Sequence, residues 1–363
     1  MATTELEHRF PCGQCGASLR YAPGQQSLTC EYCGHAQDIP QLDDETRVKT
    51  LQSLDYHDAV AQALPPSEFE ETQVLNCGSC GAQVEFEPDI HSAECPFCAA
   101  PVVTDTGTNR HIKPQAVIPF ALSEREAHDK MRAWLKGRWF APNGLRKYAR
   151  SDGSLSGLYV PYWSFDAHTR SSYTGQRGTY YYVTVRGAKG KTQRQRRVRW
   201  SPASGTVARQ FYDVLVMASG SLPRPMVRRL EPWTLSELEL YSPRYLSGFR
   251  AEAYSVELPE GFRIGQERMD EVIRNDIRRD IGGDEQRISA VNTSYADERF
   301  KHLLLPIWMA AYRYRGKSYR FIVNGQTGRV QGERPWSVWK IAGAALLAIA
   351  FVALAAYIAE MGG

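Results

Sequence analysis

The clearest chemistry in this chain belongs to its cysteines. Cys12, Cys15, Cys30 and Cys33 follow the pattern CxxC, fourteen residues, CxxC, and Cys77, Cys80, Cys95 and Cys98 repeat it 65 residues later. Four thiolates on two tight knuckles suit the tetrahedral shell of Zn2+, and a closed shell of four cysteines leaves no position for a substrate, so its role is structural. Glycine follows Cys15, Cys33 and Cys80, where a knuckle turns backbone amides toward sulfur. The opening stretch "MATTELEHRF" lacks the apolar core of a secretory signal, so metal thiolates in a reducing compartment are expected rather than disulfides. Two structural zinc ions account for all 8 cysteines, with redox or Fe–S chemistry as the alternative. His35 and His91 are surplus and read as surface histidines.

Short alternating stretches, "ASLRYA" and "AQVEFE", supply the strands that hold the knuckles apart, as in a zinc ribbon. The ribbons are expected over residues 8–40 and 73–105. Residues 41–72 are acidic and end at Pro65-Pro66; a helix is expected from about Asp44 to Ala63, in a segment that reads as a spacer. Inside the cysteine spans, Arg20 is the one basic residue of the first ribbon, and the second has none apart from His91. Reading nucleic acid requires neutralised phosphates, so the ribbons favour protein contacts.

Residues 110–335 hold most of the aromatics and no cysteine. A repeat is visible there: "LYVPYWSFDA" from Leu158 and "LLLPIWMAAY" from Leu303 place Pro161 with Trp163 and Pro306 with Trp308. Each is preceded by a helical pattern. The first starts at a capping box of Ser123 and Glu126 and runs through Ala127, Met131, Trp134 and Leu135. The second presents Met269, Val272, Ile273, Ile277 and Ile281 and stops at Gly282-Gly283. Each is followed by a strand-like run, "TYYYVTV" in one case and "KSYRFIVNGQTG" in the other. The expected fold class is α+β: two small ribbons, then an antiparallel body duplicated over residues 110–220 and 250–332.

The chain closes on an apolar stretch. Ile341 to Ala359 is uncharged for 19 residues, and a helix of that length spans roughly 28 Å, close to a bilayer core. Trp336, Trp339 and Tyr357 flank it as interfacial aromatics, and Arg329, Arg334 and Lys340 lie on its N-terminal side. By the positive-inside rule, a transmembrane helix over 341–359 keeps residues 1–340 in the cytoplasm. Ala344 and Ala348 form a small-xxx-small pair that favours helix pairing.

One charge cluster stands out against a net charge of only +4. Arg186, Lys189, Lys191, Arg194, Arg196, Arg197 and Arg199 occur without an acid. They read as a solvated hairpin loop or as a footprint for nucleic acid or anionic lipid. A membrane tether favours lipid among the ligands, by holding the loop near the bilayer. No nucleotide-binding loop is expected: the "GKT" at Gly190–Thr192 has Val185 where a P-loop needs glycine. There is no HExxH, GxSxG or dinucleotide fingerprint, and Asp166, His168 and Asp213 are isolated polar residues in strand-like settings. No enzyme is expected.

Together, the paired ribbons, "LYVPYWSFDA", "LLLPIWMAAYRYRGKSYRFIVNGQTGRVQGERP" and the terminal apolar helix resemble a bacterial family of membrane-anchored, TFIIB-type zinc-ribbon proteins. Members are often labelled primosomal protein N′ or replication-restart helicase; this chain carries neither helicase motif. The family is associated with flotillin-like (SPFH) and phage-shock-type membrane-stress proteins. The resemblance therefore implies a non-enzymatic, single-pass adaptor or scaffold at the bacterial inner membrane. The alternative is a membrane-tethered, replication-associated nucleic-acid-binding protein that uses its ribbons and the basic segment 186–199.

Overall fold

The computed structural model describes residues 10–40, 51–77, 79–85, 92–95, 97–98, 100–103, 107–136, 155–186, 192–314, 317–333, 342–343 and 345–353. Around the first cysteine cluster, β1 (Leu19–Ala22), β2 (Ser27–Cys30) and β3 (Ala36–Asp38) form an antiparallel sheet. The next segment contributes β4 (Leu54–Asp55) and the short helix α1 (Tyr56–Val60). Around the second cluster lie β5 (Phe69–Asn76), β6 (Gln83–Glu85), β7 (Ser92–Glu94), β8 (Pro101–Val103) and β9 (Gly107–Ile112), in two small sheets. The body contains β10 (Ala116–Val117), α2 (Glu124–Lys136), β11 (Ser156–Arg186), β12 (Thr192–Met217), α3 (Arg224–Arg228), β13 (Glu239–Leu240) and β14 (Arg250–Ala251). It ends with α4 (Leu258–Ile281), β15 (Glu285–Tyr314), β16 (Lys317–Asn324) and β17 (Val330–Gly332). The fold is mixed α+β, dominated by one sheet of nine strands.

Local sequence explains where the helices begin and end. Ser123 and Glu126 close a reciprocal cap: the Ser123 backbone N–H donates to the Glu126 carboxylate at 2.8 Å, and the Glu126 N–H donates to Ser123 Oγ at 3.4 Å. The apolar stripe of α2 then buries Ala127, Met131 and Leu135. α4 buries Met269, Ile273, Ile277 and Ile281 and stops at Gly282, whose φ of 64° suits glycine. Val272, predicted on the same stripe, is instead 36% exposed at its margin.

The body's hydrogen bonds repeat across a local two-fold. β11 and β15 are antiparallel neighbours, with Val160 facing Leu305, Pro161 facing Leu304 and Pro306 facing Tyr159. β10 lies parallel to β15, and β14 lies parallel to β11 in the equivalent register. Trp163 Nε1 donates to the carbonyl of Val256, just before α4, and Trp308 Nε1 donates to that of Leu122, just before α2, both at 2.9 Å. The Pro161 and Pro306 carbonyls accept from Ala218 and Gly325, both at 2.8 Å. Each Pro-x-Trp strand thus anchors the entry of the other unit's helix.

Alternation along the central strands sorts the core into two faces. Tyr159, Trp163, Phe165, Phe300, Leu304 and Trp308 face the side that carries both long helices and the first ribbon. Leu158, Val160, Tyr162, Leu303, Leu305 and Ile307 face the opposite side, against the second ribbon and the segment around Leu222–Leu238. The ribbons therefore sit on opposite faces of one sheet.

Two expectations change here. The supposed spacer is part of the body in its described portion: β4 pairs with β15, and Leu54, Tyr56, Ala59 and Leu64 pack beside α4. Of the expected helix from Asp44 to Ala63, residues 44–50 lie outside the described residues and Tyr56–Val60 is the α-helical part of the rest. The apolar residues in this segment find an uncovered edge of the core, and their burial outweighs its acidic character. In its described part the basic segment is a strand pair, since β11 and β12 stay in register as far as Arg186 opposite Thr192, while residues 187–191 of the expected loop lie outside the described residues. At the C-terminus, residues 342–343 and 345–353 are helical, with Leu346, Leu347, Ile349, Phe351 and Val352 strongly exposed. Among the described residues no helix is long and apolar enough to cross a membrane, and the rest of the predicted 341–359 span lies outside them.

Candidate metal centres

Each cysteine quartet is built from two knuckles, set on facing strands in the first and on two separate strand pairs, β5–β6 and β7–β8, in the second. In the first, Cys12 and Cys15 precede β1, while Cys30 ends β2 and Cys33 follows it. The turns close on backbone bonds: Gly16 N–H donates to the Cys12 carbonyl at 2.9 Å, Gly34 to Cys30 at 2.9 Å and Gly81 to Cys77 at 2.8 Å. These three glycines have φ of 76°, 73° and 73°, a left-handed conformation costly for a side-chain-bearing residue. In the fourth knuckle the sequence has Ala99 at the matching position, outside the described residues.

The sulfurs converge. Cys12 and Cys33 Sγ are 3.6 Å apart, Cys15 and Cys30 3.5 Å, Cys77 and Cys98 3.6 Å, and Cys80 and Cys95 3.6 Å. Within each quartet all four sulfurs lie within 4.8 Å of one another. A tetrahedral ion with metal–sulfur bonds of about 2.3 Å would space its sulfurs about 3.8 Å apart. Both quartets fit such an ion with little adjustment, and every cysteine of the chain lies in one of them.

Backbone amides aim at the sulfurs and divide their proton affinities. The N–H groups of Gln14 and Cys15 hold the Cys12 thiol below its ordinary range, and those of Cys33 and Tyr32 bring Cys30 down to about 7. At Cys77 burial opposes ionisation, but the amides of Ser79 and Cys80 prevail and bring it to about 7. The amide of His35 favours the Cys33 thiolate, yet burial and the neighbouring sulfurs push this thiol up to about 12. Burial likewise pushes Cys80 up to about 11. A divalent cation at the centre supplies the charge that lets all four sulfurs ionise together.

The two centres have different surroundings. In the first, Cys12 and Cys30 are buried at the edge of the core, while Cys15 and Cys33 are exposed and Tyr32 is 84% exposed. This ribbon docks through its strands: Tyr21 packs edge-on against Tyr245 with centroids 5.5 Å apart, and Ser247 Oγ donates to the Leu19 carbonyl at 2.6 Å. In the second, Cys77, Cys95 and Cys98 are buried, Phe97 is fully buried, and the cluster belongs to the core with Leu158, Val160 and Leu303. The spacing of the cysteines revealed the two quartets but not this difference. A signal was present in "ECPFCAAP", which is apolar beside its cysteines where "TCEYCGHAQ" is polar.

The other candidate residues are placed as follows. Asp166 accepts from Ser53 Oγ at 2.7 Å and from the Asp213 backbone N–H at 2.8 Å. Asp213 accepts from Ser164 Oγ at 2.9 Å and Lys301 Nζ at 2.7 Å, and its φ of 52° marks a bulge in β12. His168 pairs with Asp297, at a matching bulge in β15, at 3.1 Å. These polar residues brace two bulges where the long strands bend. Arg186, Arg194, Arg196, Arg197 and Arg199 lie exposed on the distal hairpin, while Lys189 and Lys191 lie outside the described residues.

No protein-family profile matches the chain. No solved structure matches it either. It is 27% identical over 357 residues to YdjG, an uncharacterized protein of Bacillus subtilis (strain 168), a match covering 95% of this chain and 97% of that relative. The likeness thus takes in ribbons and body together and adds no activity or ligand.

Proposed function

We propose that this chain is a non-enzymatic adaptor, held at the bacterial inner membrane by its C-terminal helix, with its ribbons and body facing the cytoplasm. Two structural Zn2+ ions occupy the cysteine quartets in this reading. The observation that carries it is the apolar C-terminal segment: it is uncharged from Ile341 to Ala359, and its described helical residues bury none of Leu346, Leu347, Ile349, Phe351 or Val352 against the body. Exposed aliphatic and aromatic side chains in such a run call for lipid or another helix. Protein contacts fall to the first ribbon, whose exposed Tyr32 stands beside the Arg20–Glu31 ion pair. Flotillin-like or phage-shock-type membrane proteins are the partners that the family resemblance implies.

The test is co-purification from mildly solubilised, nuclease-treated membranes, with a form lacking residues 336–363 as control. Recovery of membrane-stress or flotillin-like proteins with the full chain, and their loss from the control, is the expected result. A control form that still sediments with membranes, or that retains the same partners, would contradict the anchoring role.

A further inference from the structure

We propose that the distal end of the long sheet is a binding track for single-stranded nucleic acid. The inference stands apart from the membrane reading. It starts from how β11 and β12 outrun their neighbours: β15 begins at Glu285, opposite Gly178, so beyond that point the sheet is a bare two-stranded finger. The sequence between Arg186 and Arg199 supplies seven basic residues and no acid.

The finger's rings and guanidiniums interleave on one face. Arg194 lies 5.0 Å from the Tyr182 ring centroid, Arg196 lies 4.2 Å from that of Tyr180, and Arg287 of β15 lies 3.9 Å from that of Trp200. Alternation puts all six side chains on the same side, since Tyr182 faces Arg196, Trp200 faces Gly178, and Arg287 faces Gln176. Residues two apart on a strand stand about 6.8 Å apart. The result is a row of flat cationic platforms along the strand direction. Guanidinium planes and aromatic rings are the surfaces on which unpaired bases stack, and the arginines also neutralise phosphate. Stacking against the rings orders the arginines in advance, which lowers the entropy lost on binding.

The same face continues toward the body as an open, hydrogen-bonding surface. α4 covers the other side, where Tyr173 OH meets Asp280 at 2.5 Å and Arg209 Nη2 meets Asp276 at 2.8 Å. On the uncovered side Ser172, Thr174, Thr206, Asn292 and Ser294 are exposed. This surface has no apolar centre of the kind a stable protein interface needs. Hydroxyls and amides beside a basic ladder suit the sugar–phosphate backbone of a strand lying along the sheet.

A lipid surface fits less well. The chain leaves the sheet after β17, whose Gly332 faces Phe321, near the end where Ser156 faces Met309. From there to Gly178, β11 covers roughly 70 Å at about 3.3 Å per residue. The finger therefore points away from the end that leads to the tail, which removes the reason for expecting the basic segment near a bilayer.

The test uses the full chain, metal-loaded and in detergent. Fluorescence anisotropy is measured with a labelled single-stranded RNA of about 16 nucleotides, its DNA counterpart and its duplex, between about 50 and 200 mM salt. Single strands are expected to bind tighter than duplex. In Arg194→Ala/Arg196→Ala/Arg287→Ala, which removes three guanidiniums from this one face, the slope of log affinity against log salt should fall by about 2, at about 0.7 per phosphate contact. Trp200→Ala should weaken binding about tenfold with the slope unchanged, as loss of one stacked base predicts. These side chains lie on the exposed finger or at its base, and near-ultraviolet circular dichroism checks that the fold persists. The proposal is overturned by absence of binding, by duplex binding at least as tight, or by affinity that the triple variant leaves unchanged. Poly-glutamate that competes as well as RNA of equal charge would reduce the finger to a general anion trap. Binding to phosphatidylserine vesicles without binding to RNA or DNA would reassign it to lipid.

Discussion

Tyr32 and Phe97 occupy the same position in the two cysteine motifs, third in "CEYC" and third in "CPFC", yet Tyr32 is 84% exposed and Phe97 is 0% exposed. The ligand spacing is identical and the sulfur geometry nearly so. What differs is what the knuckle rests on. The second ribbon covers a face of the central sheet that carries no long helix, so its knuckle residues complete the core. The first ribbon shares its face with α2 and α4 and docks through Leu19, Tyr21 and Leu28, leaving its knuckle tips outside. A cysteine quartet of one geometry serves as an internal layer in one ribbon and as an outward-facing head in the other.

The comparison is broken most forcefully at the ligands. Structural zinc contributes about 10–16 kcal/mol in small zinc domains, comparable to the stability of a whole domain at about 5–15 kcal/mol. Cys95→Ser is therefore expected to unfold the body, seen as loss of its cooperative thermal transition. Cys33→Ser should release one metal ion and free the first ribbon while that transition survives. The next effect lies beside the ligands. Phe97→Ala should cost about 3–5 kcal/mol in urea unfolding, and Tyr32→Ala less than about 0.5 kcal/mol. Equal costs would mean that the two ribbons bear on the core alike.

A third prediction concerns pH. Glu252 is buried beneath the second ribbon, whose Gln83 carbonyl accepts from the Ala253 backbone N–H. Burial pushes its carboxyl up to about 8, against a hydrogen bond from Ser219 Oγ at 2.6 Å that favours the charged form. A folded-state pKa above the unfolded value means that the native state holds the proton. Its contribution is full below about pH 4.5 and is lost as pH rises toward 8. Between those values the wild-type chain should lose a few kcal/mol that Glu252→Gln retains, which urea unfolding across this range would detect. The loss should be felt first at the second ribbon, as faster proteolysis there than at the first.

The legible parts of this protein were local in sequence. Cysteine spacing gave both ligand sets, Ser123 with Glu126 gave the start of α2, and Gly282 gave the end of α4. The two Pro-x-Trp strands were visible as a repeat, though not their hydrogen bonds to Leu122 and Val256 across the molecule. Strand pairing was the part that could not be read. The contact of Gly178 with Glu285 joins residues more than 100 positions apart, and nothing near "RQRRVRW" says that it extends a sheet rather than closing a loop. The layer role of the second ribbon was hidden for the same reason, since Phe97 belongs to a core cluster shared with residues of β11 and β15.

Stepwise metal removal would show whether the second metal centre forms a layer of the core while the exposed half of the first stands clear of it. Chelator would be titrated into the full chain while released zinc and near-ultraviolet circular dichroism are recorded together. Two zinc ions per chain are expected: one released early with the body's aromatic signal intact, the other released late and together with that signal. Release of both ions in a single step, or loss of both with the body still folded, would contradict it.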